Sequence, residues 1–202
     1  ANGVAVGTLV TLGTSPLWAG LFEWLLRSHP PGRSWLGATG LAVFGVTLLT
    51  GANGTADPSG LLLSVAAGAA YGLELVLIKV PLDRGWNASD AVSWVMGLAA
   101  VMAVPVLLTT DLGWIQHGRG VAVVAWLAVV TIVISYQLVA AGLKRLSAAT
   151  VTTLTMAEPA TATLLGLILL NESLSVTGVL GLTAIIGGLV VLTASAPVST
   201  EG

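Results

Sequence analysis

The residue of this sequence best placed to do chemistry is an acid in the middle of an apolar run. Glu158 stands about eleven residues from either end of Ala148–Leu170, and Pro159 follows it at once. A carboxylate at that depth of a bilayer is costly, and such groups mark proton relays, ion paths and substrate sites. Three roles fit it: carrying or coupling protons, binding a substrate amine, or sitting protonated and hydrogen-bonded to a neighbouring helix. Pro159 has no N–H, so the Thr155 carbonyl is expected to lose its helical partner. Thr152, Thr153, Thr155, Thr161 and Thr163 surround that break, and hydroxyls can re-satisfy backbone freed inside a membrane. Acid, broken ladder and hydroxyls at one depth read as the wall of a polar cavity.

Other runs are interrupted more mildly. Glu74 lies about six residues inside the end of its run. It reads as a snorkelling or Lys79-paired acid, or as a cavity acid beside Tyr71. Ser135-Tyr136-Gln137 puts three hydrogen-bonding groups in another run; Tyr136 and Gln137 either line a central cavity or bridge helices. Glu23 precedes Arg27 by four residues, the favourable order for an ion pair along a helix. Gly68 and Gly72, four apart, let helices approach closely without saying which one. Trp35, Trp86 and Trp114 stand at loop edges and read as interface anchors. His29 and His117 have no second ligand at metal spacing, so neither a metal nor another cofactor is expected.

These residues need a bundle to position them, and the composition says which kind. Of 202 residues, 55% are hydrophobic and 8% charged, and the mean hydropathy is +0.97. Soluble domains carry roughly 25% charged residues. The net charge of -2 and the lack of any basic block give no footing for nucleic acid. No Cys is present, so disulfides and thiolate metal sites are excluded. The expected class is all-α, a polytopic membrane helix bundle. Seven apolar segments lie near the ~20 residues a span requires. They are Val4–Leu26, Trp35–Thr50, Leu61–Val80, Ala91–Thr110, Val121–Leu143, Ala148–Leu170 and Gly178–Thr193. Arg27, Arg33, Lys79, Arg84, Lys144 and Arg145 fall on one side and Arg119 on the other. That bias puts the first set, and the C-terminus, in the cytoplasm of a cell whose inner membrane the chain crosses.

Pro16 and Pro159 both interrupt apolar runs, as expected helix breaks, and set an offset of 159 − 16 = 143. At that offset Ala19, Leu21, Leu26, Gly45, Leu49 and Thr50 meet identical residues. Both copies share a layout of mid-run proline, polar turn, then a glycine-containing run ending in Thr. Five spans apart, they enter the membrane in opposite senses, as inverted transporter repeats do. The same offset puts the start of the first copy about eighty residues before Ala1, room for three more spans. The expectation is a fragment of a ten-span, 5+5 protein.

The segment Leu146–Thr193, with AEP in mid-span, LLNE before a short loop and a glycine-rich last helix, resembles the EamA branch of the drug/metabolite transporter superfamily. Residues 1–51, with GTSPLWAGLFEWLL and WLGATGLAVFGVTLL, resemble the last two helices of that family's first repeat. Residues 59–196, through SYQLVAAGLKRLSAATV, resemble its complete second repeat. One departure is visible: where the family carries Gly-Glu at the end of the proline-bearing span, this chain has Asn171-Glu172 and Ser28-His29. The resemblance implies ten helices around a central cavity and export of small metabolites such as amino acids or drugs. It also implies a lipid bilayer as surroundings, with room for a homodimer. The absence of a nucleotide-binding loop points to a secondary transporter working by alternating access. A membrane-embedded enzyme or non-transporting subunit is the alternative, but it would need a constellation such as HExxH in the spans, and the sequence has none.

Overall fold

Apolar runs with no water to bond their backbone must satisfy it internally, and helices do so within one segment. The structure, a computed structural model, describes residues 3–27, 32–50, 57–116, 118–169 and 175–195. The turns at Ser28-His29 and Asn171-Glu172-Ser173, together with His117, lie outside the described residues. Among those described, every regular element is helical: α1 (Gly3–Arg27), α2 (Arg33–Thr50), α3 (Pro58–Asp83), α4 (Ala88–Thr109), α5 (Gly118–Trp126), α6 (Ser135–Leu143), α7 (Ala148–Leu154), α8 (Ala157–Leu169) and α9 (Val176–Ser195). A π-helical run, Leu127–Ile134, joins α5 to α6, and a 3-10 turn spans Gly113–Gln116.

Each of the seven expected segments falls on helix among the described residues, one of them interrupted by a turn, and the chain is an all-α polytopic bundle. Five stretches among the described residues are long and apolar enough to cross a membrane. They are Pro58–Asp83, Ala88–Thr109, Gly118–Leu143, Ala148–Leu169 and Val176–Ala194.

The chain forms two compact units, Ala1–Val76 with Ser147–Gly202, and Leu77–Leu146. In the first, small residues set the helix contacts. A β-carbon added at Gly72 would lie 2.7 Å from the Ala19 nitrogen and 2.8 Å from the Ser15 carbonyl, and one at Gly68 would strike Thr11 and Thr14. The Thr11 hydroxyl donates to the Ser64 carbonyl, 3.1 Å away. The partner that Gly68 and Gly72 admit is therefore α1, which runs parallel to α3. Helices α2 and α9 pack antiparallel. A β-carbon at Gly45 would meet the Gly181 oxygen and the Ile185 nitrogen, each at 2.6 Å. One at Gly188 would meet the Ala38 oxygen at 2.7 Å and the Ala42 nitrogen at 2.9 Å. Such spacing lets backbones touch where no hydrophobic effect drives them together. Val46, Ala160 and Ile185 form one buried cluster of this unit, and Trp35, Ala38, Ala149 and Leu192 another.

In the second unit α4 packs on α6. Asn87 caps α4 by accepting from the Asp90 N–H at 2.9 Å. The turn before it uses Gly85 at φ 87°, a conformation open to glycine without strain.

Candidate functional site

The expected single span Ala148–Leu170 is two helices. α7 ends at Leu154, and α8 begins at Ala157 after a turn at Thr155 and Met156. The Met156 N–H donates to the Thr153 carbonyl at 3.1 Å and the Glu158 N–H to the Thr155 carbonyl at 2.9 Å. The Thr155 carbonyl thus keeps a partner, contrary to expectation, because the chain tightens to an i→i+3 bond before the proline. Pro159 lies in the first turn of α8, where a missing N–H costs little. Pro16 does not break its helix: α1 runs through it. The Leu12 carbonyl, which Pro16 cannot serve, accepts the Ser15 hydroxyl at 3.0 Å. One proline is absorbed by a neighbouring hydroxyl, and the other accompanies a break.

The threonines close mostly on their own backbone. Thr152 donates to the Ala148 carbonyl, Thr161 to Ala157 and Thr163 to Pro159 at 2.8 Å each, and Thr155 to Thr152 at 2.7 Å. Two of them also reach other helices. The Thr153 hydroxyl lies 2.9 Å from that of Thr39 on α2, and the Thr155 side chain lies near the phenol of Tyr71 on α3. Glu74, also on α3, and Glu158, exposed in the first turn of α8, are both close enough to act electrostatically on the half-buried Tyr71. Four of the singled-out residues, Tyr71, Glu74, Thr155 and Glu158, therefore come together at the break. The ion pair of Lys79 is with Asp83, at 2.8 Å.

Tyr136 and Gln137 belong to the other compact unit. There the Gln137 carbonyl oxygen accepts from the Ser89 hydroxyl at 3.5 Å. Immediately before them, the Ser135 hydroxyl donates to the Val130 carbonyl at 3.0 Å, five residues back, where the π-helical run ends. π-Helical turns recur at functional sites. The aliphatic string LAVVTIVI gave no signal for one.

Sequence reasoning also missed Glu23. Its carboxylate accepts from the Ala148 N–H at 3.4 Å and the Ala149 N–H at 3.1 Å, the first two of α7. These bonds go to a helix N-terminus, which attracts an anion by its dipole; the side chain of Arg27, the partner anticipated for it, lies outside the described residues. Trp35 was read as an interface anchor, but it is 8% exposed, and its indole N–H has no acceptor among the described residues. Trp86 and Trp114 are about half exposed, as anchors would be.

Residues 58–194 match the EamA-like transporter family. The chain belongs to the EamA-like transporter family. It is 34% identical over 197 residues to a Bacillus subtilis (strain 168) protein named "Uncharacterized transporter YwfM". That match covers 96% of this chain and 66% of the relative, so the chain spans just under two thirds of the relative's length. A solved structure titled "Crystal structure of protein" aligns with 98% of this chain and 70% of its own at TM-score 0.77. At 21% identity that likeness speaks for the fold alone. An EamA-like chain with these apolar helices is a multi-pass membrane protein. Its family is one of transporters rather than enzymes.

Proposed function

We propose that the chain is part of a secondary transporter that exports small metabolites, such as amino acids or drugs, across the cytoplasmic membrane by alternating access. The observation that carries the reading is the cluster at the helix break. A phenol and a threonine hydroxyl lie near each other there, with two carboxylates at hand and a fresh helix N-terminus beside them. Broken helices of this kind form transporter sites near the midplane. In this reading residues 1–51 end a first repeat and residues 59–196 form a second, with the C-terminus in the cytoplasm. The α2–α9 contact supports it. At the offset of 143, Ala38, Ala42 and Gly45 correspond to Gly181, Ile185 and Gly188. Gly45 approaches the oxygen of Gly181 and the nitrogen of Ile185, while Gly188 approaches the oxygen of Ala38 and the nitrogen of Ala42. Contacts that exchange in this way are the mark of a two-fold relation.

Glu158 couples the cycle to protons in this proposal, since a carboxylate in a span is a natural proton carrier. The test is flux in proteoliposomes containing the full-length protein and a trapped pH dye, with the twenty amino acids added one at a time across a pH gradient. For those that move, Glu158→Gln is expected to cut gradient-driven flux by about tenfold or more, and Tyr71→Phe to raise the half-saturating concentration. Undiminished flux in Glu158→Gln removes proton coupling through this residue.

A further inference from the structure

We propose that the short helix α7 is a gate leaf, turning on the Thr155–Met156 joint and latched shut at its far end by the Glu23 carboxylate. The inference rests on the transporter reading above and assigns it a moving part. α7 has seven residues, Ala148–Leu154. Its C-terminal end is a turn held by i→i+3 bonds, not a continuous ladder, and hinges sit at such element ends.

Its N-terminal end is fastened from outside the segment. The first N–H groups of any helix lack partners within it. Here the Thr150 N–H goes to the Ser147 hydroxyl at 3.0 Å, a local cap. Those of Ala148 and Ala149 go to Glu23, more than a hundred residues away in sequence. Ala148 is 0% exposed and Glu23 7%, so water does not share the bond in this arrangement. A second tie, between the Thr153 and Thr39 hydroxyls, holds the middle of the leaf to α2.

The kind of contact separates this helix from its neighbours. α2 and α9 meet backbone to backbone at Gly45 and Gly188, with no room there for a β-carbon. α7 adds to the apolar packing of Ala149 against Trp35, Ala38 and Leu192 polar bonds to α1 and α2 that water can replace as they open, so release exchanges those partners rather than creating orphans. The buried indole N–H of Trp35, packed in the same cluster as Ala149, has no acceptor among the described residues. A buried donor of this sort calls for an explanation, and a second position of the leaf that presents an acceptor to it is one.

The 202 residues contain no cysteine, which makes single-cysteine reporters practical. The experiment uses the full-length protein in lipid nanodiscs, with any cysteine outside these residues replaced by serine. One reporter is Thr152→Cys on α7, a near-isosteric change at a fully buried residue whose described hydroxyl bond stays within its own helix. The other is Ala160→Cys on α8, beyond the joint. The probe is 2-(trimethylammonium)ethyl methanethiosulfonate, and the readout is its reaction rate. Adding Glu23→Ala is expected to speed labelling at position 152 by about tenfold and to leave position 160 within about twofold, the signature of a population shift confined to the leaf. Equal acceleration at both positions would mean general loosening and overturns the proposal, as does no acceleration at position 152. If Glu23→Ala gives no monodisperse protein, Thr39→Val, which removes the second tie, takes its place with the same outcomes. Labelling needs no substrate. A leaf that opens as expected in a protein whose flux ignores Glu158→Gln keeps the gate and discards the proton coupling; the converse pair of results does the reverse.

Discussion

Glu23 and Glu158 are carboxylates on apolar helices, and the surroundings of the two differ in kind. Glu23 is buried, and its carboxylate accepts from two backbone N–H groups at a helix start, at 3.1 and 3.4 Å, which gives a buried polar group the partners it needs. Glu158 is exposed at the break, one residue beyond the start of α8. Replacing Glu23 by alanine leaves two buried donors without an acceptor, at a cost of about 1–3 kcal/mol each. Thermal unfolding of Glu23→Ala in the same detergent as wild type should show that loss, and Glu23→Gln, which keeps an acceptor oxygen, should lose less. Trp35→Phe trades two effects: it deletes a buried donor that has no described partner and leaves a cavity where the indole was larger, so it should lose less stability than Trp35→Leu, which leaves a larger gap. Glu158 was legible in the sequence because an acid in a greasy run stands out by itself. Glu23 was not. These bonds to α7 cross 125 and 126 residues of chain, whereas a sequence displays only neighbours along a helix.

At the scale of elements, the positions of the helices could be read from hydropathy, and their interruptions only in part. Pro16 and Pro159 look alike in the sequence, yet only the second stands beside a break, because Ser15 can serve the Leu12 carbonyl. The outcome turns on one hydroxyl next to one of the prolines. The π-helical run was equally hidden, since widening a helix depends on where its carbonyls find donors and not on hydropathy. Helix starts are more readable. Asp57 precedes Pro58, the residue that opens α3, as Pro at a first helical position commonly does. Its carboxylate accepts from the Ser59 hydroxyl and from the Gly60 N–H at 3.2 Å. The Ser59 hydroxyl first, then the Gly60 N–H, hold its carboxyl below the ordinary value of 3.8. A depressed folded-state value means the cap contributes fully above that ordinary value and is lost as pH falls through the lower, folded one. The Gly60 amide shift should therefore stay flat with falling pH until below 3.8 and then move. In Asp57→Asn that titration should vanish.

For the molecule as a whole, the repeat offset came from two prolines and a handful of identities, too few to say which faces meet. The α2–α9 seam supplies the faces. Valine at Gly45 or at Gly188 would collide with backbone on the partner helix, and overpacking of that kind costs about 1–3 kcal/mol or more. Because the two glycines face corresponding atoms, the two losses should be alike, and the double variant should lose less than their sum, since one displaced helix relieves both collisions. Gly40→Val, with nothing within 4 Å of an added β-carbon, should change stability little. Unequal single losses, measured by denaturant unfolding, would argue against the two-fold relation. The seam also bears on ancestry. Under the two-fold relation proposed above, a face whose glycine fits the corresponding face turned upside down needs no second invention: one half-length chain, inserted in both orientations, would pair with itself.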